Sequence, residues 1–406
     1  MKKIEMYINF IVLFILSGAF ERFFSDHGIK GAINFLLIAW YLFCFFLILY
    51  SLYKKRPKVN IDITLVGLCL ICFLSLIWTQ YRSITLKYDF ILLLNIIYCI
   101  YIYMRYSTVD LIKLVFYVIF LGAILSVYLI IFHPSLAAGN NMYLTNFEGV
   151  YSHKNFLGRS MSLGCIISIF YYIFNKKASI LNFIVCLVAL YFSKSGTSYV
   201  ILAIMILLLL LLKYRKRINI LLVTGIPTLL IVIGLTAGSS ILSDSMGYMN
   251  KDLTFTGRTY IWKYAINQIK KQPLLGYGYK AFWPTKADES QYVYIKEIDN
   301  NITHAHDGFI NTAAEIGLIG SGIMILMVVN FLYSNRTIGI GEYEKCFMVI
   351  YFYFFIFNNI TETSFLNTNN LYWMMIVVFI IKESYKARGG SIIDRSIGKG
   401  ILNGAQ

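Results

Sequence analysis

The sequence predicts an all-α fold, a polytopic transmembrane helical bundle of about twelve spans with one long loop on its outer side. Three observations lead there. Of the 406 residues, 58% are hydrophobic and only 14% charged, with a mean hydropathy of +0.68. A soluble domain is about half apolar and about a quarter charged, so this chain lacks the polar surface to coat one globular core. Apolar runs then recur near 6–24, 31–52, 61–79, 86–104, 111–132, 156–174, 178–193, 197–212, 218–237, 308–332, 346–358 and 369–381, and about 20 such residues cross the hydrocarbon layer. Finally, with the N-terminus inside and the spans alternating, Lys2-Lys3, "KKRPK" at 54–58, Lys176-Lys177, "KYRKR" at 213–217 and the tail from Lys382 to Lys399 all fall inside. The short outer loops hold only Arg22, Lys30, Arg82, Lys87 and Lys194. This is the positive-inside bias. It reads the net charge of +16 as a topology signal rather than a nucleic-acid footprint. Both termini are placed inside, and 1–406 is read as one integral membrane domain.

Taken in order, Ser17-Gly18-Ala19 after the first run resembles a cleavage site, but a chain with so many later spans needs no cleaved signal, and the run is kept as a helix. The seven cysteines suggest neither a disulfide framework nor a metal pattern, because Cys44, Cys69, Cys72, Cys99, Cys165 and Cys186 lie inside apolar runs, where free Cys acts as a small hydrophobe. The sixth span opens with "GVYSHKNFLGRS", 149–160. His153, Lys154 and Asn155 stand at its outer end, and Arg159 lies one turn deeper on the face of Asn155. Ionisable groups inside a span are costly and mark function by default, although Lys154 could equally snorkel to the surface. Lys194 stands in the polar break "FSKSGTSYV" between the seventh and eighth spans, which taken alone is a tight turn.

The outer loop, 238–307, is nearly balanced in charge and long enough to be functional. Within it "TGRTYIWKYAINQIKKQP" predicts an amphipathic helix capped by Thr256 or Thr259 and stopped by Pro273, with Ile261, Trp262, Ala265, Ile266 and Ile269 on one face against the membrane domain. Arg258 falls in its first turn, where the helix dipole disfavours a cation unless an anion sits nearby. Pairing with Asp252 or Asp244 is the structural alternative. Tyr277, Tyr279 and Trp283 in "PLLGYGYKAFW" offer flat faces for sugar rings, or for a membrane-interface belt. The loop ends in "HAHDGFINTAAEIGLIG", where His304, His306 and Asp307 precede the tenth span. Glu315, about two turns into that span, is expected to contact an acceptor or pair with Arg159. Gly317, Gly320 and Gly322 read as close-packing positions.

"GVYSHKNFLG", "TGRTYIWKYAINQIKKQPLLGYGYKAFW" and the histidine segment resemble, over roughly 146–322, the bacterial O-antigen ligase and O-antigen or exopolysaccharide polymerase superfamily, the Wzy type. The resemblance implies a fold like that of lipid-dependent glycosyltransferases, with a periplasmic loop over the site, in the bacterial inner membrane. It implies transfer of a glycan from undecaprenyl diphosphate to an acceptor that is a second lipid-linked glycan or a lipid core, with membrane lipids and a chain-length regulator as further partners. The family's loop arginine falls on Arg258, its loop-end histidine on His306, and its "HKN" motif on His153, Lys154 and Asn155. This sequence departs from the family at Asp307, where Asn is usual, and at Gly196, where a cation often stands, with Lys194 two residues earlier.

The chemistry agrees with the resemblance. A diphosphate leaves readily, so catalysis needs charge neutralisation and a base for the incoming hydroxyl. Arg258, Arg159 and Lys154 supply the first without a metal or other cofactor. His306 supplies the second, or positions the acceptor, with Asp307 raising its basicity. Two alternatives stay open: a metal held by His304, His306 and Asp307 with His153 as a further ligand, and a polysaccharide or lipid transporter. The latter is disfavoured because the ionisable groups gather at the outer face and no internal repeat is visible.

Overall fold

The computed structural model describes residues 2–54, 59–139, 146–175, 180–214, 217–219, 254–283, 293–295, 300–339 and 342–387. The chain runs through α1 (Lys2–Leu16), α2 (Glu21–Asp26), α3 (Lys30–Tyr53), α4 (Ile63–Leu74), α5 (Arg82–Arg105), α6 (Thr108–Phe132), α7 (Pro134–Ala137), α8 (Lys154–Asn175), α9 (Ile180–Ser193) and α10 (Gly196–Tyr214). Beyond these come β1 (Arg217–Asn219), α11 (Thr254–Ile269), β2 (Val293–Ile295), β3 (Asn300–Ile302), α12 (Gly308–Ser334), β4 (Thr337–Gly339), α13 (Tyr343–Asn359) and α14 (Leu371–Ala387). The protein is an all-α polytopic membrane bundle, its strands being short three-residue segments beside the helices. Among the described residues six helices, α3, α5, α6, α8, α10 and α12, are long and apolar enough to cross a membrane, and α1, α4 and α9 are shorter apolar helices. The strands form two antiparallel ribbons, β1 with β4 and β2 with β3.

Most apolar runs fold as the sequence predicts, with informative exceptions. The run at 6–24 is not one helix: α1 stops at Leu16, Gly18 and Phe20 take positive φ, and the Phe20 N–H donates to the Val150 carbonyl at 2.7 Å. The run at 218–237 lies outside the described residues except for 218 and 219, which belong to β1. Cys44, Cys72, Cys99, Cys165, Cys186 and Cys346 are buried and Cys69 half-buried, and none of the seven forms a disulfide.

At the centre stand α13 and α14. Every residue from Cys346 to Asn359 is buried, as is every residue from Leu371 to Ile381, the pattern of helices surrounded on all sides. The loop joining them, 360–370, does not return to the bundle surface. Asn369 accepts from the Tyr41 hydroxyl at 3.0 Å and exchanges hydrogen bonds with Asn95 at 2.9 and 2.7 Å. Asn95 lies more than three turns, about 20 Å, into α5, so the loop is re-entrant. Non-helical backbone at such depth persists only when its polar groups are satisfied. Asn359 Oδ1 accepts from the N–H groups of Ser364 at 2.8 Å and Phe365 at 2.9 Å, and the Tyr279 hydroxyl donates to the Leu366 carbonyl at 2.6 Å.

A second irregularity lies in α12, whose helical path breaks at Ile316 and Gly317. The segment 273–278 lies across the break and takes up the freed groups. The N–H groups of Tyr277 and Gly278 donate to the carbonyls of Ala314 and Glu315 at 3.0 and 2.8 Å, while those of Leu318 and Ile319 donate to Pro273 and Leu274 at 2.8 and 3.2 Å. Gly276 and Gly317 both adopt positive φ, and a Cβ on Gly276 would stand 2.6 Å from the Gly317 nitrogen. Gly317 is therefore a break position rather than a helix-packing one, and Gly322 has open space beside it.

Candidate functional site

Three of the residues singled out in the sequence, Asn155, Arg258 and His306, meet on a residue that sequence reasoning passed over. Glu362, on the re-entrant loop, is 3% exposed. Its Oε1 accepts from Asn155 Nδ2 at 2.8 Å and lies 3.3 Å from an Arg258 terminal nitrogen, and its Oε2 lies 3.4 Å from His306 Nδ1. Asp307, expected to tune His306, instead caps α12: one carboxylate oxygen accepts from the N–H groups of Phe309 and Ile310 at 2.8 Å. Burial pushes the Asp307 carboxyl up to about 6, opposed by those two bonds and the nearby Arg258.

Arg258 is 8% exposed and also donates to the Thr361 carbonyl at 2.6 Å. Because α11 starts at Thr254, ahead of either expected cap, Arg258 stands in its second turn. The helix docks as its pattern required: Ile261 and Ala265 are buried and join Phe282, Trp283, Val293, Ile302, Ala305 and Ala314 in a small core, while Ile266 remains exposed. The Trp262 indole N–H donates to the Ala305 carbonyl at 2.9 Å, tying α11 to the histidine segment.

His153 Nδ1 accepts from the Asn155 N–H at 3.2 Å and so caps α8, with burial lowering its basicity. Lys154 opens α8. Gly158 is needed for contact rather than for space, since a Cβ there would meet Ser195 and Ser198 at 2.6 Å. That approach lets the Ser195 hydroxyl donate to Asn155 Oδ1 at 3.2 Å, so the turn carrying Lys194 reaches the site through Ser195 while the Lys194 side chain is exposed. Arg159 is 5% exposed. It donates to Ser364 Oγ at 2.8 Å, lies 4.0 Å from the Tyr372 ring centroid, and keeps a buried Nε without an acceptor.

His306 has φ of 51°, a left-handed conformation uncommon for a non-glycine residue. Its ring lies 4.1 Å from that of His304. His304 bonds Thr303 Oγ1 through Nδ1 at 2.8 Å, and burial pushes its pKa down to about 3, which keeps the imidazole neutral. The third group beside these histidines is Glu362, not His153: one ligand-capable atom each from His304, His306 and Glu362 lie within 4.8 Å of one another.

Other expectations are corrected. Glu315 is 3% exposed and accepts from Asn311 Nδ2 at 2.9 Å, so it is not the partner of Arg159. Trp283 donates to Asn311 Oδ1 at 2.7 Å and is 3% exposed; Tyr279 is fully buried. Tyr277 is half-buried, with its hydroxyl on Gln268 at 3.1 and 3.2 Å. The first two rings are interior packing that walls the site, and their faces are spent on protein neighbours rather than open to a sugar.

Comparison with known proteins finds similarity over part of the chain. The family profile Wzy_C, described as O-antigen ligase, matches residues 181–326, which include α11, the histidine segment and the break in α12. The protein named "Exopolysaccharide production protein ExoQ" of Rhizobium meliloti (strain 1021) is 33% identical over 92 residues, 22% of this chain and 21% of that protein. The protein named "Putative polysaccharide ligase RT0347" of Rickettsia typhi (strain ATCC VR-144 / Wilmington) is 24% identical over 130 residues, 30% of each chain. The matches thus span less than a third of these relatives' length. Over residues 181–326 the chain is thus similar to the O-antigen ligase family, and it shares sequence with proteins named for exopolysaccharide production and for polysaccharide ligation.

Proposed function

We propose that this chain transfers a glycan from undecaprenyl diphosphate to an acceptor hydroxyl at the outer face of the bacterial inner membrane, polymerising exopolysaccharide or O-antigen repeat units. The observation that carries the reading is Arg159. It is a buried guanidinium with no carboxylate within ion-pair distance among the described residues, and its loop partner Ser364 lies two residues from Glu362. A buried cation costs several kcal/mol unless compensated. Glu362, the carboxylate on that loop, is engaged by Arg258, Asn155 and His306, so an anion from outside the chain is the partner this reading assigns to Arg159. A diphosphate supplies that charge, with Lys154 and the start of α8 beside it.

The reaction is a single inverting displacement that needs no metal. The acceptor oxygen forms a bond to the anomeric carbon as the bond from that carbon to the diphosphate breaks. The electron pair leaves on the diphosphate, where Arg258 and Arg159 meet the growing charge. The hydroxyl proton passes to His306. With Nδ1 turned to Glu362, the proton on that nitrogen faces the carboxylate and Nε2 holds the accepting lone pair. Glu362 then stabilises the imidazolium.

A second reading, ligation of a finished glycan to a lipid core, is favoured by the profile's description and by the name of the Rickettsia relative. Deleting the gene and resolving surface glycans on a gel separates the two. Loss of long chains with single repeats still attached means polymerisation, loss of all attached glycan means ligation, and an unchanged pattern refutes transfer.

A further inference from the structure

The histidine pair and Glu362 do more than place a base. Three ligand-capable atoms, two imidazole nitrogens and a carboxylate oxygen, lie within 4.8 Å of one another. The His306 Nδ1 to Glu362 Oε2 separation is 3.4 Å, long for an N–H···O bond, whose usual distance is about 2.9–3.0 Å. It matches the ligand-to-ligand edge of a tetrahedron around zinc, about 3.4 Å for bonds of about 2.0–2.1 Å. The carboxylate is divided: Oε1 is held by Asn155 and Arg258, and Oε2 alone faces the histidines. Outer partners of this kind orient the ligands of metal sites. His304 has one as well, Thr303 on its Nδ1, which leaves Nε2 free to bind.

We propose that His304, His306 and Glu362 form a binding site for a borderline divalent ion, with Zn²⁺ as the fit, and that filling it switches transfer off. Two nitrogens and one oxygen suit zinc and not magnesium, which prefers oxygen ligands. The Arg258 guanidinium beside Glu362 repels any divalent ion there equally, so the ion has to be held by its bonds to imidazole nitrogen rather than by charge, and zinc forms such bonds where magnesium does not. The off-switch rests on His306 being the base. An ion on Nδ1 forces the remaining proton of the neutral imidazole onto Nε2, and the lone pair that would accept the hydroxyl proton is gone. Arg258 stays on Oε1, so anion binding survives while proton acceptance fails.

The test uses full-length protein in detergent with Co²⁺ as a spectroscopic probe. Intense visible bands of four-coordinate Co²⁺, displaced by Zn²⁺, are expected. His304→Ala is expected to weaken binding on the order of 100-fold or more, and Thr303→Val, which removes only an outer partner, by about 10–100-fold. His27→Ala is expected to leave it unchanged. No bands, bands that persist in His304→Ala, or displacement by Mg²⁺ as readily as by Zn²⁺ would overturn the site. With lipid-linked donor, Zn²⁺ is expected to stop turnover and a chelator to restore it. Turnover lost on chelation and regained with Zn²⁺ would overturn the off-switch. The cobalt spectra need no substrate, so they decide the site even if the transfer reading fails.

Discussion

Arg258 is proposed to act in both folding and turnover, and a double-mutant cycle with Glu362 separates the two. Arg258→Ala removes the 2.6 Å bond to the Thr361 carbonyl and the 3.3 Å contact to Glu362. It leaves a carboxylate that is 3% exposed with only Asn155 and the long contact to His306. Removing one partner of a buried pair costs about 3–5 kcal/mol, and the surviving Asn155 bond puts the loss near the lower end. Glu362→Gln on that background removes the stranded charge while keeping an oxygen for Asn155, so more than half of the lost stability is expected to return. Turnover is expected not to follow, because a lost donor to a developing anion is typically worth about 10² to 10³ in rate. Arg258→Lys keeps the charge but not the two-nitrogen fork and is expected to remain impaired by about tenfold or more. The assay is thermal unfolding of the detergent-purified variants beside turnover of lipid-linked donor. A double variant that recovers turnover together with stability would reduce Arg258 to a structural counter-ion.

His306→Ala is expected to lower turnover by about 10² to 10⁴ while donor binding persists, and near-normal turnover would end the base assignment. His304→Ala, measured without added metal, is expected to be milder, since His304 is kept neutral and bonds Thr303. The proposed topology predicts that an impermeant thiol reagent labels Lys270→Cys but not Lys213→Cys in intact cells with the outer barrier opened; the reverse pattern would refute it. Gly317→Ala places a methyl 2.2 Å from the Leu274 carbonyl oxygen at φ +68°. It is expected to cost at least about 1–3 kcal/mol from backbone strain alone, read as a lowered unfolding temperature, whereas Gly322→Ala, with nothing within 4 Å, is expected to be neutral.

The sequence exposed one half of the site and concealed the other for a physical reason. The His153–Asn155 run stands out because ionisable groups at the mouth of an apolar span are costly, while Arg258 and His306 stand out through their places at a helix start and at the loop end and through the family resemblance. Glu362 sits in "NNITETSFLNTNN", which looks like an ordinary polar loop. The overlooked signal was its setting: the flanking apolar runs, 346–358 and 369–381, are each too short to span, as they must be when the loop between them enters the bundle. The aromatics were illegible in another way. Tyr279 and Trp283 could face sugar, lipid or protein, and the choice was made by Leu366 and Asn311, partners from distant segments.

Those distant partners also explain how residues far apart in sequence hold a fixed geometry. Arg258 rides on α11 and Glu362 on the re-entrant loop, and the segment 273–279 ties both to the core. It crosses the break in α12 through four backbone hydrogen bonds, and Tyr279 then reaches two elements. The Tyr279 N–H donates to Ser75 Oγ at 3.0 Å, and its hydroxyl donates to Leu366 at 2.6 Å. A continuous α12 would have satisfied its own carbonyls and left this segment nothing to bind. A re-entrant loop without Tyr279 would leave the Leu366 carbonyl without this donor at a depth where water does not replace it. Each irregularity supplies what the other lacks. A shift of α11 that carried Arg258 away from Thr361 would therefore have to strain the strap, the α12 break and the loop together, which is how a membrane bundle can hold a guanidinium and a carboxylate in register without burying them in one continuous helix.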